Sequence, residues 1–258
     1  MKILMLGDVT SPASAAYLAS VLPAYRREHG IDLVTVNAEN GSFILGPSPD
    51  TAELLLSAGA DVLTGGNHTM QNYSLLGAID GMPAVLRPAN YPAAAPGAGS
   101  VILTVGHGIR ALVISLLGRV HMDPPLSSPF EAADRILERA AGRYDVAVVD
   151  LHAEATGEKL ALGHYLDGRV SAVVGTHTHV PTADLRILPK GTGYVTDLGM
   201  CGPEGSILGI DPDEIVNRYL TAVNHKLHPA TGRIRAEGVL FTVNEATGHA
   251  TDAARVTL

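Results

Sequence analysis

A series of short apolar segments, each ending at polar residues, recurs along most of this chain. These segments are rich in β-branched residues and bounded by turn residues, as buried strands are. Patterns with helical spacing lie between them. Alternating strands and helices predict an α/β chain in which helices cover largely parallel strands. The segments are KILML, IDLVTV, ADVLTGG, YDVAVVD and SAVVG.

Three helical patterns between these segments carry start or end signals. The pattern SAAYLASVLPAYRREHG ends on Gly30, a residue type that commonly follows the last turn of a helix. In SPDTAELLLSAG we expect Asp50 to cap the helix. In SPFEAADRILERAAG the expected cap is Ser128, with Pro129 at the first helical position and Glu131 three residues after the cap.

Two regions break this alternation. The segment GSVILTVGHGIRALVISLLGRV holds two β-rich runs joined around residues 106–108, which predicts a hairpin. The tail GRIRAEGVLFTVNEATGHATDAARVTL predicts further antiparallel strands after the helical segment DPDEIVNRYL. These regions imply a second, partly antiparallel sheet. A chain of 258 residues can bury one sizeable core, so we expect residues 1–258 to form a single domain.

Composition limits the partners of this chain. Its formal net charge of -8 argues against long nucleic acids and anionic membranes as main partners. The only cysteine is Cys201, which excludes an intrachain disulfide and which we expect to be a packed small residue rather than a ligand. The apolar start MKILML is too short for a secretory signal or a membrane span, so we expect a cytoplasmic location.

The segment VGTHTHV places His177 and His179 two positions apart at the end of an apolar run. Residues i and i+2 of a strand point to one face, so we expect both imidazoles to face the same small volume. A single pair of this kind can also be a solvated turn. Its meaning therefore depends on which other polar residues lie at strand ends.

Polar side chains follow five of the predicted strands, at the sheet edge where open α/β sheets bind ligands. Each of them alone can be a turn or core residue. Together they offer carboxylate, amide and imidazole groups in a number that exceeds one tetrahedral metal site. Two metals that share a carboxylate would use them. The residues are Asp8, Glu39, Asn40, Asn67, His68, His152, His177 and His179.

These blocks, in this order, resemble the calcineurin-like metallophosphoesterases over nearly the whole chain. The motifs GDV, NAENG, GGNH, DLHAEAT and GTHTHV resemble those of the YmdB-type branch, the 2′,3′-cyclic-nucleotide phosphodiesterases. The resemblance implies a four-layer sandwich of two mixed β-sheets flanked by helices, with a metal site at the carboxyl ends of the strands. One departure is Thr10, which stands where the common Asp-x-His pattern has its histidine.

The resemblance implies two metal ions that share the carboxylate of Glu39. Asn40 would supply the ligand that is missing at Thr10. The implied ligand sets are Asp8, Glu39, Asn40 and His179 for one ion, and Glu39, Asn67, His152 and His177 for the other. An amide oxygen in place of an imidazole makes the site harder than an all-imidazole zinc site, so we expect iron first and manganese second.

The resemblance implies hydrolysis of small phosphodiesters, with 2′,3′-cyclic nucleotides as the substrate class. A hydroxide between the two ions would attack phosphorus, and His68, which is not a ligand, would act as the general acid. Two alternatives stay open. The same ions could serve a phosphomonoesterase, and the absent histidine at Thr10 would also suit a non-catalytic, metal-dependent regulatory or binding protein. Self-association into a homo-oligomer is compatible with the resemblance.

Overall fold

The computed structural model of the protein describes residues 1–258 and contains two mixed β-sheets with helices on their outer faces. The strands, in chain order, are β1 (Lys2–Leu6), β2 (Asp8–Val9), β3 (Leu33–Asn37), β4 (Val62–Thr64), β5 (Ser100–Val105), β6 (Ile109–Leu117), β7 (Val146–His152), β8 (Ala172–Thr176), β9 (Arg186–Ile187), β10 (Gly193–Val195), β11 (Met200–Pro203), β12 (Ile234–Val243) and β13 (Ala250–Thr257).

Six α-helices connect or cover these strands, and all except α5 begin at a side-chain cap. The helices are α1 (Pro12–His29), α2 (Pro49–Ser57), α3 (Tyr73–Leu76), α4 (Pro129–Ala140), α5 (Thr156–Tyr165) and α6 (Pro212–Thr221). The predicted cap of α4 is confirmed, since Ser128 accepts the backbone N–H of Glu131. The predicted cap of α2 is wrong, because Ser48 accepts the N–H of Thr51 instead. Asp50 lies in the first turn, where its charge favours the helix dipole.

The strand order divides the chain between the two sheets. The first sheet has the order β2-β11-β12-β1-β3-β4, with β13 on β12, and the second has the order β5-β6-β7-β8-β10-β9. The predicted hairpin is confirmed by the antiparallel pairing of β5 with β6. The predicted position of the tail strands is wrong, because β12 pairs with β1 and β11 in the first sheet. Periodicity identifies such strands but carries no information about their neighbours.

Three apolar layers hold the elements together. Ile3 and Phe241 belong to the layer between the two sheets, while Leu4 and Leu18 pack the first sheet against α1 and α2. Leu162 belongs to the third layer, which joins the second sheet to α4 and α5. Neighbouring residues of β1 thus face opposite layers, as the alternation of a strand requires. The four-layer arrangement that we expected is confirmed. None of the helices combines the length and the apolar composition that crossing a membrane requires.

Parallel pairing brings the carboxyl ends of the strands to one edge of the sandwich. β1, β3 and β4 run parallel in the first sheet, and β6, β7 and β8 run parallel in the second. Loops that leave these strand ends meet where the two sheets face each other. The polar residues at the strand ends are therefore neighbours in space.

Candidate metal centre

Asp8 lies at the start of β2 and is fully buried with an unsatisfied oxygen atom. Its Oδ2 accepts the backbone N–H of His177 at 3.1 Å, whereas Oδ1 has no hydrogen-bond partner. Oδ1 lies 3.5 Å from His152 Nδ1 and 3.7 Å from His179 Nε2. Burial and the nearby charge of Asp197 raise the pKa of this carboxyl well above its usual range. A cation beside Oδ1 would pair with the unsatisfied oxygen atom and offset the cost of burying the charged carboxylate.

Glu39 follows β3 and lies between the two sheets. Its carboxylate accepts the backbone N–H groups of Gly66 and His68, and the hydroxyl of Thr69 donates to Oε2 at 2.8 Å. Oε1 lies 3.3 Å from His68 Nδ1 and 3.7 Å from His152 Nε2. Burial raises the pKa of Glu39 to about 8, although these hydrogen bonds oppose the shift. The carboxylate is therefore fixed in place by backbone groups of the GGNH turn.

Steric constraints require glycine at the first two positions of the GGNH turn, residues 65–68. A Cβ atom on Gly66 would lie 2.1 Å from the Cδ2 atom of His152, so only glycine leaves room for that ring. A Cβ on Gly65 would collide with the hydroxyl of Thr69 at 2.0 Å. The turn can then pass close to both β7 and Glu39.

His152 ends β7, is fully buried, and presents one nitrogen to the site. Its Nδ1 lies 3.0 Å from the hydroxyl of Thr176, which itself donates to Asp150 at 2.8 Å. The Thr176 oxygen must accept from His152, so Nδ1 carries the hydrogen and Nε2 has a free lone pair. Nε2 lies 3.1 Å from Asn67 Oδ1 and 3.1 Å from His177 Nδ1. A lone pair that faces a carbonyl oxygen is the arrangement that a cation completes.

His179 also presents a nitrogen with a free lone pair. Its Nδ1 lies 3.1 Å from the backbone carbonyl of Leu208, which can only accept, so the hydrogen is on Nδ1. Nε2 faces Asp8 and lies 3.4 Å from Asn40 Nδ2. Burial lowers the pKa of His179 and thus favours the neutral, ligating form.

Asn40 faces His68 with its amide oxygen. Asn40 Oδ1 lies 2.9 Å from His68 Nδ1, and the amide nitrogen faces His179. Ligation by Oδ1 therefore requires the amide to turn toward Asp8. His68 Nδ1 also faces Glu39, so this nitrogen carries a hydrogen, while the ring borders the cleft above the site.

The turn formed by His177, Thr178 and His179, called the HTH turn below after its three residues, is not the continuing strand that we expected. β8 ends at Thr176, and His177 and His179 have φ angles of 97° and 62°. The prediction that strand alternation aims both rings is wrong, because a left-handed backbone at each histidine sets the ring directions instead. Such backbone conformations cost on the order of 1–3 kcal/mol each and persist where surrounding contacts fix them.

The structure brings all eight predicted site residues together in two groups. His179 lies near Asp8 and Asn40, while His177 contacts His152. Asn67 joins the second group, Glu39 lies between the groups, and His68 borders both Glu39 and Asn40. As they stand, no three of the histidine, cysteine and acidic side chains surround one point at metal-binding distance. The rings of His152 and His177 are in direct contact at 3.1 Å, so a metal ion between them would require these side chains to rotate.

Several neighbours of these residues were not predicted. Glu154 Oε2 lies 3.2 Å from His177 Nε2, and the carboxylate of Asp150 accepts from the side chains of Asn37, Thr64 and Thr176. Asp150 and Glu154 lie within the DLHAEAT block, but the sequence assigns them no role because their partners are distant in the chain. Their position at the ends of β3, β4, β7 and β8 is the signal that could have identified them.

A cleft of about 250 Å³ opens above the two groups. Its lining combines polar and apolar side chains and includes one arginine. Its lining comprises Thr10, Asn40, Phe43, Ile44, His68, His177, His179, Leu208, Ile210, Arg218 and Leu227. The hydroxyl of Thr10 donates to the carbonyl of Cys201 at 3.1 Å, and Cys201 itself is buried as a packed residue.

Comparisons with known proteins identify the family of this chain. The model of the YmdB-like protein family matches residues 4–256. The chain is 41% identical over 256 residues to a Bacillus subtilis protein named 2′,3′-cyclic-nucleotide 2′-phosphodiesterase, covering 99% of this chain and 96% of that protein.

Two solved structures share the fold of this chain. A Mycoplasma pneumoniae protein described as a novel phosphatase superposes with a TM-score of 0.91 at 32% identity, covering 100% of this chain and 93% of that one. A 5′-nucleotidase-type protein from Staphylococcus aureus has a TM-score of 0.59 at 16% identity over 99% of this chain and 54% of its own, a likeness of fold alone. The fold is thus the calcineurin-like sandwich. The chain therefore belongs to the YmdB-like family and, like the relatives named above, is a phosphoesterase enzyme.

Proposed function

We propose that this enzyme hydrolyses small phosphodiesters, with 2′,3′-cyclic nucleotides as its substrate class. The observation that carries the proposal is the buried, unsatisfied Oδ1 of Asp8, which lies 3.5 Å from His152 Nδ1 and 3.7 Å from His179 Nε2. The name of the Bacillus subtilis relative supports the substrate class. A cytoplasmic location is part of the proposal, since the lone cysteine gives no sign of an oxidising compartment.

Metallophosphoesterases generally use two divalent metal ions. We assign Asp8, Glu39, Asn40 and His179 to one ion, and Glu39, Asn67, His152 and His177 to the other. These residues fit such ions because His152 and His179 present free lone pairs and Asp8 has an unpaired oxygen. When bound, the ions would neutralise charge on the phosphoryl oxygens and activate the attacking water. The oxygen-rich donor set favours iron, with manganese as the second choice.

His68 is the proposed general acid. Its Nδ1 is occupied by Asn40 and Glu39, which leaves Nε2 as the atom that can reach a leaving oxygen in the cleft. To donate from Nε2 the ring must be protonated on both nitrogens. Burial and the nearby His179 lower the pKa of His68, so the doubly protonated ring forms at a lower pH than in a free histidine.

Phosphomonoester hydrolysis is the second candidate, because the Mycoplasma pneumoniae relative is described as a phosphatase. The same ligands would serve either ester. A non-catalytic binding protein is not supported, since the relatives reported above are named as enzymes.

The deciding assay compares metal-reconstituted protein on 2′,3′-cyclic AMP, 3′,5′-cyclic AMP and the 2′- and 3′-monophosphates. We expect the highest kcat/KM on the 2′,3′-cyclic ester, with a monophosphate accumulating as product. Faster release of phosphate from the monoesters would favour a phosphomonoesterase. No turnover of any ester with either iron or manganese would contradict the proposal.

A further inference from the structure

A buried ion pair lies directly beneath the turn that carries His177 and His179. Lys159 Nζ lies 2.8 Å from Asp197 Oδ2, and the two side chains are 1% and 0% exposed. Lys159 belongs to α5, and Asp197 follows β10. Buried ion pairs contribute little net stability, because desolvation offsets their attraction. The pair therefore needs another explanation.

The carboxylate of Asp197 binds the middle residue of the turn. Its Oδ2 accepts the backbone N–H of Thr178 at 3.1 Å and the Thr178 hydroxyl at 2.7 Å. Its other oxygen accepts the backbone N–H of Gly199 at 2.9 Å. Both oxygens thus accept hydrogen bonds, and the Lys159 ammonium group lies beside this buried carboxylate.

Gly175 provides the space that the ion pair of Lys159 and Asp197 requires. A Cβ atom on Gly175, two residues before His177, would lie 1.8 Å from the carbonyl oxygen of Thr196 and 2.9 Å from Lys159 Cδ. Glycine at this position lets the Lys159 stem pass beneath β8 to reach Asp197. The glycine of the GTHTH segment therefore serves the ion pair as well as the strand.

The turn needs an external restraint because both histidines have positive φ angles, 97° and 62°. L-residues disfavour this conformation, so an unrestrained turn would relax and swing both rings away. Apart from the hydrogen bond from His177 N–H to Asp8, the backbone of 177–179 is held through Thr178.

We propose that Lys159 and Asp197 are positioning residues, which hold the HTH turn so that His177 and His179 each face their own group of ligating atoms. The inference rests on the proposed function in treating these histidines as metal ligands. It assigns to the ion pair a role in metal affinity that does not require contact with metal or substrate.

The sharpest test uses Thr178, because changing it leaves the ion pair intact. Thr178→Val removes the hydroxyl that donates to Asp197, and Thr178→Ser retains it. We expect Thr178→Val, Asp197→Asn and Lys159→Met to weaken Mn²⁺ binding to the metal-free protein by about 10- to 100-fold, measured by titration calorimetry. Thr178→Ser should stay within about threefold of wild type.

Thr192→Val provides the matched control, since the Thr192 hydroxyl is also buried but bonds the carbonyl of Val170 at 2.7 Å, away from the site. We expect no change in its Mn²⁺ affinity. Amide hydrogen exchange of residues 176–180 in metal-free protein gives a second readout. Exchange should accelerate in Thr178→Val and Asp197→Asn, but not in Thr192→Val.

Wild-type Mn²⁺ affinity in Thr178→Val and Asp197→Asn would overturn the inference, and so would an equal loss in Thr192→Val. Faster exchange without weaker binding would also overturn it, because the restraint would then be unrelated to metal. Failure of the proposed function is distinguishable, since it appears as wild-type protein that binds Mn²⁺ but hydrolyses no phosphoester.

Discussion

Burial acts in opposite directions on the two kinds of side chain in the metal centre. It raises the pKa of Asp8 and Glu39, and it lowers the pKa of His152 and, to about 4, that of His177. In each case the charged form is the one that is disfavoured. The imidazoles are therefore neutral and able to ligate, while the carboxylates lack a countercharge. Both conditions favour the uptake of cations.

His68 is the residue at which acid catalysis and metal binding can be separated. His68→Ala should lower kcat on 2′,3′-cyclic AMP by about 10²- to 10⁴-fold, since general acid catalysis contributes on that scale. Metal content, measured by mass spectrometry of the purified protein, should stay near wild type, because no ligand is removed. His152→Ala is the contrasting variant, for which we expect loss of metal. Loss of metal from His68→Ala would make His68 a ligand.

At the scale of elements, most strands and helices could be predicted because apolar period and capping residues are local signals. The strand-end pattern also named the eight residues that the structure brings together, but not neighbours such as Asp150 and Glu154. The direction of the HTH rings could not be predicted, since the positive φ angles at His177 and His179 depend on Asp197, a residue with no motif of its own. The predicted cap of α2 was wrong as well, because Ser48 rather than Asp50 caps this helix.

From the geometry of the HTH turn we predict that His177 and His179 bind different metal ions. His177 contacts His152, whereas His179 faces Asp8 and Asn40. His177→Ala and His179→Ala should each empty a different metal position, and each should nearly abolish hydrolysis, since a two-ion site needs both cations. Anomalous diffraction from Mn²⁺-soaked crystals measures the two occupancies.

The non-ligand variant Thr178→Ser is the control for damage to the turn. The assignment fails where both histidine variants empty the same position. It also fails where neither changes occupancy.

At the scale of the whole molecule, two buried carboxylates at the junction of the sheets couple stability to protons and metal. The pKa of Glu39 rises from 4.5 in the unfolded chain to about 8 in the folded one. The resulting stabilisation is fully present below the unfolded pKa and is lost as the pH rises through about 8. The prediction that residues 1–258 form a single domain stays a prediction.

The free energy of unfolding of metal-free protein should therefore fall between about pH 7 and pH 8, a range in which the site histidines, whose pKa values are lowered in the folded protein, no longer titrate in the unfolded chain. Urea titration with a chelator present measures this slope. Glu39→Gln should reduce this slope, because the amide does not titrate. Excess Mn²⁺ should also reduce it in wild type, since a bound cation keeps the carboxylate ionised. Equal slopes in wild type and Glu39→Gln would show that another group is responsible.

The insertion of β12 beside β1 has a consequence for how the protein is made. Lys2 pairs with Thr242, whereas the other neighbour of β1, β3, is only some thirty residues away, with Ile3 opposite Leu33. During synthesis the ribosome therefore releases β1 and β3 long before the strand that covers their open edge. Until that strand emerges, an apolar strand edge is available for pairing with other nascent chains. The time for which this edge stays open depends on translation speed. Translation speed and protection of the edge by chaperones would therefore govern the yield of folded enzyme.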